Sequence, residues 1–283
     1  MPGRTLKAKR VLDEKTLLAL KAWFERYVGT FESKNPEHQR NIDLKKDHTR
    51  RVCMEILNIG KSLGLSEGSL YLSEVIALFH DVGRFEQYAR YGTFVDLKSE
   101  DHGALGVKVL RENLVLNCLD RSTRDTVLRA IAYHNRVSLP DDETEECLFF
   151  TRLLRDADKL DIWRVVTDYY RNGERIGIIE LGLPDSPEIS DDVCADLMAQ
   201  KMVMVGHLTT LNDFKLLQMA WVYDVNFPIT FHLIRERGYL EMIRDALPKS
   251  EKISKIYSMV QDYLNNQCDS EFKGDRVHKM LLP

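Results

Sequence analysis

The sequence is short of the features that would mark a membrane, secreted or sheet-built protein. None of its 283 residues belongs to an apolar run of about 18, so no spanning helix is expected. The five cysteines (Cys53, Cys118, Cys147, Cys194 and Cys268) lie far apart and form no CxxC pair. That argues against a cysteine-bound zinc and for a reduced, cytoplasmic chain. Charge of neither sign dominates: 40 basic residues against 44 acidic ones leave a net −4, with no broad basic face for nucleic acid or an anionic membrane. The opening MPGRTLKAKR is basic, but no apolar stretch follows it, so a secretory signal is not expected. Period-two alternation is almost absent, which removes most strand assignments.

What is present is helical periodicity. Apolar residues recur at three and four over 13–30, 45–63, 68–80, 102–116, 121–134 and 145–171. Later segments at 191–203, 208–223, 228–246 and 250–265 repeat the pattern. The stretch 31–43, with Pro36, reads as a loop, and 84–101, with Gly92, as irregular. Residues 172–190 hold Gly173, Gly177, Gly182, Pro184 and Pro187 and read as a long loop or short hairpin. The tail 266–283 is polar and expected to be loose. The fold expectation is all-α: one domain over 1–283, with a core at about 40–170 and a C-terminal helical extension at about 190–265. No composition shift marks a linker.

Against this background the histidines are informative. His48, His80, His102 and His134 each fall in or beside a different expected helix, and the last follows Ile131 and Val127 on one face. His48 precedes Val52 and Ile56 in the same way, and Asp158 follows Leu154. Asp81 follows His80 directly in ALFHDVGRF. One buried histidine is more commonly a hydrogen-bonded core residue, and one Asp an N-cap or ion-pair member. Four histidines and two carboxylates on the inner faces of successive helices are a different matter. Bundles build metal sites in this way, and a buried carboxylate needs such a partner. His38, His207, His232 and His278 lack that company.

The ordered pattern His48 (KDHTRRV), His80–Asp81 (ALFHDVGR) and Asp158 (DADKLD) resembles the HD superfamily of metal-dependent phosphohydrolases, across about residues 40–170. The resemblance implies an all-α bundle and a metal at His48, His80, Asp81 and Asp158. His102 in DHGALG and His134 in AIAYHN match the subset with two further histidines, which implies a second metal at Asp81, His102 and His134 with Asp81 as the bridge. No Gly-Tyr-Pro motif follows HDVGRF, so the likeness does not extend to the cyclic-dinucleotide phosphodiesterases. Two divalent transition-metal ions are implied, iron or manganese first, with zinc, nickel, cobalt and magnesium also compatible with the donors.

The implied reaction is hydrolysis of a nucleotide or other small phosphate ester by metal-activated water. Arg51, Arg84 and Lys159 each stand beside a ligand and are the candidates for phosphate contact, although such residues are more often solvated surface charges. Asp156 and Asp161 flank Asp158 as candidate orienting partners or as surface charges. Glu100 and Asp101 precede His102 as a helix cap or a supporting acid. Two alternatives share the pattern: a mixed-valent di-iron oxygenase with the same ligands, and a non-catalytic sensor that keeps the fold. The expected partner is a small phosphorylated molecule, with no membrane or nucleic acid, and a homo-oligomer is compatible.

Overall fold

The structure is a computed structural model and describes residues 12–172 and 182–270. The basic N-terminal decapeptide, the segment 173–181 within the expected loop, and the tail from 271 onward, with His278, lie outside the described residues. Among those described there is helix and no strand, as the absence of period-two alternation implies. None of the described helices is long and apolar enough to cross a membrane.

The chain divides into two compact units, Met1–Asp158 and Lys159–Pro283. The composition marks no linker at this point. The division falls inside α7 (Glu145–Asn172), an unbroken helix, so no flexible segment exists for composition to reveal.

In the first unit, α1 (Glu14–Gly29) is followed by α2 (Pro36–Ser62), α3 (Glu67–Phe79), α4 (Val82–Tyr91), α5 (His102–Glu112), α6 (Arg121–Tyr133) and the first part of α7. Here α2 packs on α3, α4 on α5, and α5 on α6. Their shared core includes Phe24, Ile56, Ile59, Phe79, Phe85 and Ile131, all fully buried. Each such side chain contributes about 2 kcal/mol of transfer free energy.

Two expectations change here. The loop at 31–43 is shorter, because α2 begins at Pro36. Asn35 caps it, accepting from the Glu37 amide at 2.9 Å. Proline suits a first helical position, where its missing N–H would have no partner anyway. The segment 84–101 is not irregular at its start, because α4 runs through it as far as Tyr91. Gly83 sits inside that helix. A Cβ at Gly83 would lie 2.3 Å from the His102 carbonyl oxygen and 2.5 Å from the Gly106 nitrogen. Glycine is needed for close approach of α4 to α5, not for a turn.

In the second unit, α8 (Asp191–Met198) packs on α9 (Leu211–Ala220) and α12 (Glu251–Ser270), and α10 (Pro228–Arg237) packs on α11 (Tyr239–Asp245) and α12. The helix expected over 228–246 is broken at Gly238, whose φ of 66° is left-handed and ends α10. The tail expected from 266 is helical as far as Ser270. Trp163 is buried and donates from Nε1 to the Gln218 carbonyl at 2.9 Å.

Candidate metal centre

Helix ends position most of the six residues. His80 caps the C-terminus of α3 and Asp81 the N-terminus of α4, so the two form the joint between these helices. His102 opens α5, after its N-cap Asp101, and His134 caps the C-terminus of α6. His48 and Asp158 project from within α2 and α7. The last carbonyls of a helix lack partners within it. His80 Nδ1 meets the Ala77 carbonyl at 2.7 Å, and His134 Nδ1 meets the Ile131 carbonyl at 2.7 Å. The same local device thus fixes both rings.

The six residues converge as two triads, His48–His80–Asp158 and Asp81–His102–His134, with candidate ligand atoms within 4.8 Å of one another in each. In the first, His48 Nε2 is 3.3 Å from His80 Nε2 and 3.0 Å from Asp158 Oδ1. In the second, His102 Nε2 is 3.0 Å from His134 Nε2. Asp81 reaches both. Its Oδ2 is 3.6 Å from the Nε2 atoms of His48 and His80. Its Oδ1 is 3.4 Å from His102 Nε2 and 4.0 Å from His134 Nε2.

The protonation pattern suits a cation. A carbonyl only accepts, so the Nδ1 atoms of His80 and His134 carry the proton and their Nε2 atoms keep a lone pair. Asp96 Oδ2 does the same for His102, at 2.7 Å from Nδ1. Burial lowers the pKa of all three rings, to about 4 for His102 and His134. Arg84 adds to the effect at His102, and His80 at His134. The neutral rings of His102 and His134 therefore point lone pairs at each other, with Nε2 atoms 3.0 Å apart. Asp158 Oδ1 is buried and lies 3.0 Å from His48 Nε2. Burial alone would raise both acids, yet both are lowered: Asp81 by Lys45, His80, Arg84 and His102, and Asp158 by the hydrogen bond and charge of His48 and by His80. Ionised carboxylates converging with imidazole nitrogens are the donor set a divalent transition metal requires.

Behind this set lies a second layer. Asp96 accepts from Arg84 Nη1 at 2.7 Å and from Gln87 Nε2 at 2.8 Å through Oδ1, while Asn135 Nδ2 approaches Oδ2 at 3.3 Å. Arg84 Nη1 also donates to Gln87 Oε1 at 2.9 Å and to the Phe94 carbonyl. Arg155, one turn before Asp158, donates to the carbonyls of His134 and Arg136 and ties the end of α6 to α7.

The remaining sequence candidates disperse. Arg51 is half-buried on α2, one turn past His48. Arg84 is bound into the Asp96 network, with Nε 3.5 Å from Asp81 Oδ1. Lys159 belongs to the second unit, where its Nζ is 2.6 Å from Asp224 Oδ2. Asp156 and Asp161 are buried, not surface charges. Asp101 caps α5, and Glu100 meets Tyr91 and Arg90. His207 pairs with Asp196 at 2.7 Å, and His38 and His232 meet Tyr88 and Arg235.

Two residues escape the sequence reading. Asp96 lies in a segment without periodicity, so no pattern flags it. Lys45 had a signal: it precedes His48 by one helical turn on the ligand face, and its Nζ is 2.7 Å from Asp81 Oδ2.

A family model described as the HD domain matches residues 46–163, a span that takes in all six converging residues. No curated protein and no solved structure matches the chain.

Proposed function

The chain carries an HD domain over residues 46–163, and we propose from it that the protein is a metal-dependent phosphohydrolase acting on a small phosphate ester such as a nucleotide. The observation that carries this reading is Asp81, which turns one carboxylate oxygen toward each pair of histidines. On this reading His48, His80 and Asp158 would hold one divalent ion and His102 and His134 the other, with Asp81 within reach of both. Mixed imidazole and carboxylate donors do not discriminate among iron, manganese, zinc and nickel; iron or manganese is the ion proposed from the family resemblance, with zinc, nickel, cobalt and magnesium compatible. Bound ions of this kind lower the pKa of water toward neutrality and offset charge on phosphate oxygens.

The protein's own groups have separate tasks in this scheme. Asp96 keeps the His102 proton on Nδ1, so that Nε2 stays free to ligate. The Ala77 and Ile131 carbonyls do the same for His80 and His134. Arg84 holds Asp96 in place. Arg51 is the proposed contact for phosphate from the α2 side, and no covalent enzyme intermediate is needed. Lys159, which pairs with Asp224, is a further proposed candidate for phosphate contact.

The test is a screen of the iron- or manganese-loaded protein for phosphate release from phosphomonoesters, nucleotides and cyclic nucleotides. Release that disappears with His134→Ala supports the reading. No release from any of them, with oxygen uptake by the reduced protein, overturns it in favour of an oxygenase.

A further inference from the structure

We propose that Lys45 is a further cation, beside Arg51, that binds the substrate's phosphate once the metals are in place. The proposal rests on the phosphohydrolase reading above. Lys45 lies one turn before His48 on α2, and its Nζ is 2.7 Å from Asp81 Oδ2. That oxygen is the one facing His48 and His80. Its side chain is only 18% exposed, and among the described residues Asp81 is its one ion-pair partner.

This pairing conflicts with metal loading. An ion drawing on Asp81 Oδ2 takes up the negative charge that now neutralises Lys45, and it brings positive charge close to an ammonium already held there. A largely buried ammonium without a counter-charge is costly, so the loaded site calls for another anion beside Lys45. The lysine stem is flexible and its ammonium can turn, whereas a guanidinium pinned by several acceptors cannot. Arg84 is pinned in that way by Gln87, Phe94 and Asp96, and Lys159 is paired with Asp224. The Phe94 ring, 5.4 Å from Lys45 Nζ, gives the ammonium an apolar wall on one side. A phosphate drawn to the metal ions supplies the missing anion at this place.

Calorimetric titration of the manganese-loaded full chain with inorganic phosphate, together with metal analysis, tests this. Lys45→Met is expected to keep its metal and to bind phosphate about tenfold to a hundredfold more weakly, the equivalent of one charged hydrogen bond. Lys45→Arg is expected to recover most of that loss. Lys45→Gln, which can still donate to Asp81, is expected to behave as Lys45→Met does. Lys46→Met removes a neighbouring charge that pairs with Glu25 and is expected to bind phosphate as the unaltered chain does. Unchanged phosphate affinity in Lys45→Met and Lys45→Gln overturns the proposal and leaves Lys45 as the counter-ion of Asp81. Loss of metal in step with loss of phosphate overturns it too, since Lys45 would then act through Asp81. If the loaded, unaltered chain binds no phosphate, the phosphohydrolase reading itself fails.

Discussion

His102 Nε2 and His134 Nε2 stand 3.0 Å apart, and each presents a lone pair to the other because its Nδ1 proton is committed elsewhere. Two acceptors at this distance repel unless a positive charge lies near both. Bound metal should therefore stabilise the fold strongly. At a concentration a thousandfold above the dissociation constant, a ligand confined to the native state contributes about 4 kcal/mol. For a chain of this size that raises Tm by roughly 10 °C. Chelation followed by re-addition of manganese, read by calorimetry, checks the figure; a Tm unmoved by either step would contradict it.

The metal-free protein should also lose stability in mild acid. The His102 and His134 rings have folded pKa values of about 4, against 6.5 for the exposed group. Above pH 6.5 both are neutral in folded and unfolded chains alike. Between 6.5 and 4 the unfolded chain takes up protons that the folded chain refuses, so stability falls with pH through that window. Asp81 and Asp158, held below the usual carboxylate value, add their own loss only at lower pH. Urea midpoints of the chelated protein should decline steadily from pH 7.5 to 5. A flat profile would show that the rings do not stay neutral on folding.

Asp96→Asn should damage metal binding while leaving the fold largely intact. The amide oxygen can still accept from Arg84 and Gln87, which now donate to Asp96 Oδ1. The amide nitrogen, however, would face His102 Nδ1 as a second donor. The ring then favours the other tautomer, with its proton on Nε2 and no lone pair there to ligate. Loss of an outer partner of this kind costs about tenfold to a hundredfold in metal affinity. Manganese titration should show one weakened site per chain at a nearly unchanged Tm of the chelated form. Two sites of full affinity would mean that His102 does not depend on Asp96.

The helical fold and the inward direction of the histidines were legible because both follow one period. His134 shares a face with Ile131 and Val127, and His48 with Val52 and Ile56, so a 3.6-residue period carried each histidine inward with its apolar neighbours. His80 and Asp81 were legible as a pair, although their place at a helix joint was not. What stayed hidden depends on contacts between distant segments. Asp96 reaches His102 from a stretch with no period, and only the folded chain brings them together. Lys159 and Arg84 stand beside ligands in sequence, but their own acidic partners, Asp224 and Asp96, are far along the chain or in that same aperiodic stretch.

Gly83 links the same joint to stability. Any side chain there must push against the backbone of α5, since a Cβ would lie 2.3 Å from the His102 carbonyl and 2.5 Å from the Gly106 nitrogen. Backbone cannot swing aside as a flexible side chain can. Gly83→Ala should therefore cost roughly 2–3 kcal/mol or more, in the range of overpacked core positions, despite the better helix propensity of alanine. The strain would be relieved by moving α4 away from α5, which separates Asp81, at the start of one, from His102, at the start of the other. Metal affinity should fall together with the urea midpoint. Gly29→Ala is the matched control, because nothing lies within 4 Å of its added Cβ. That variant should be neutral or gain up to about 1 kcal/mol from helix propensity, with its metal content unchanged. Equal behaviour of the two variants would show that α4 and α5 tolerate a wider spacing and that the glycine does not set the separation of Asp81 from His102.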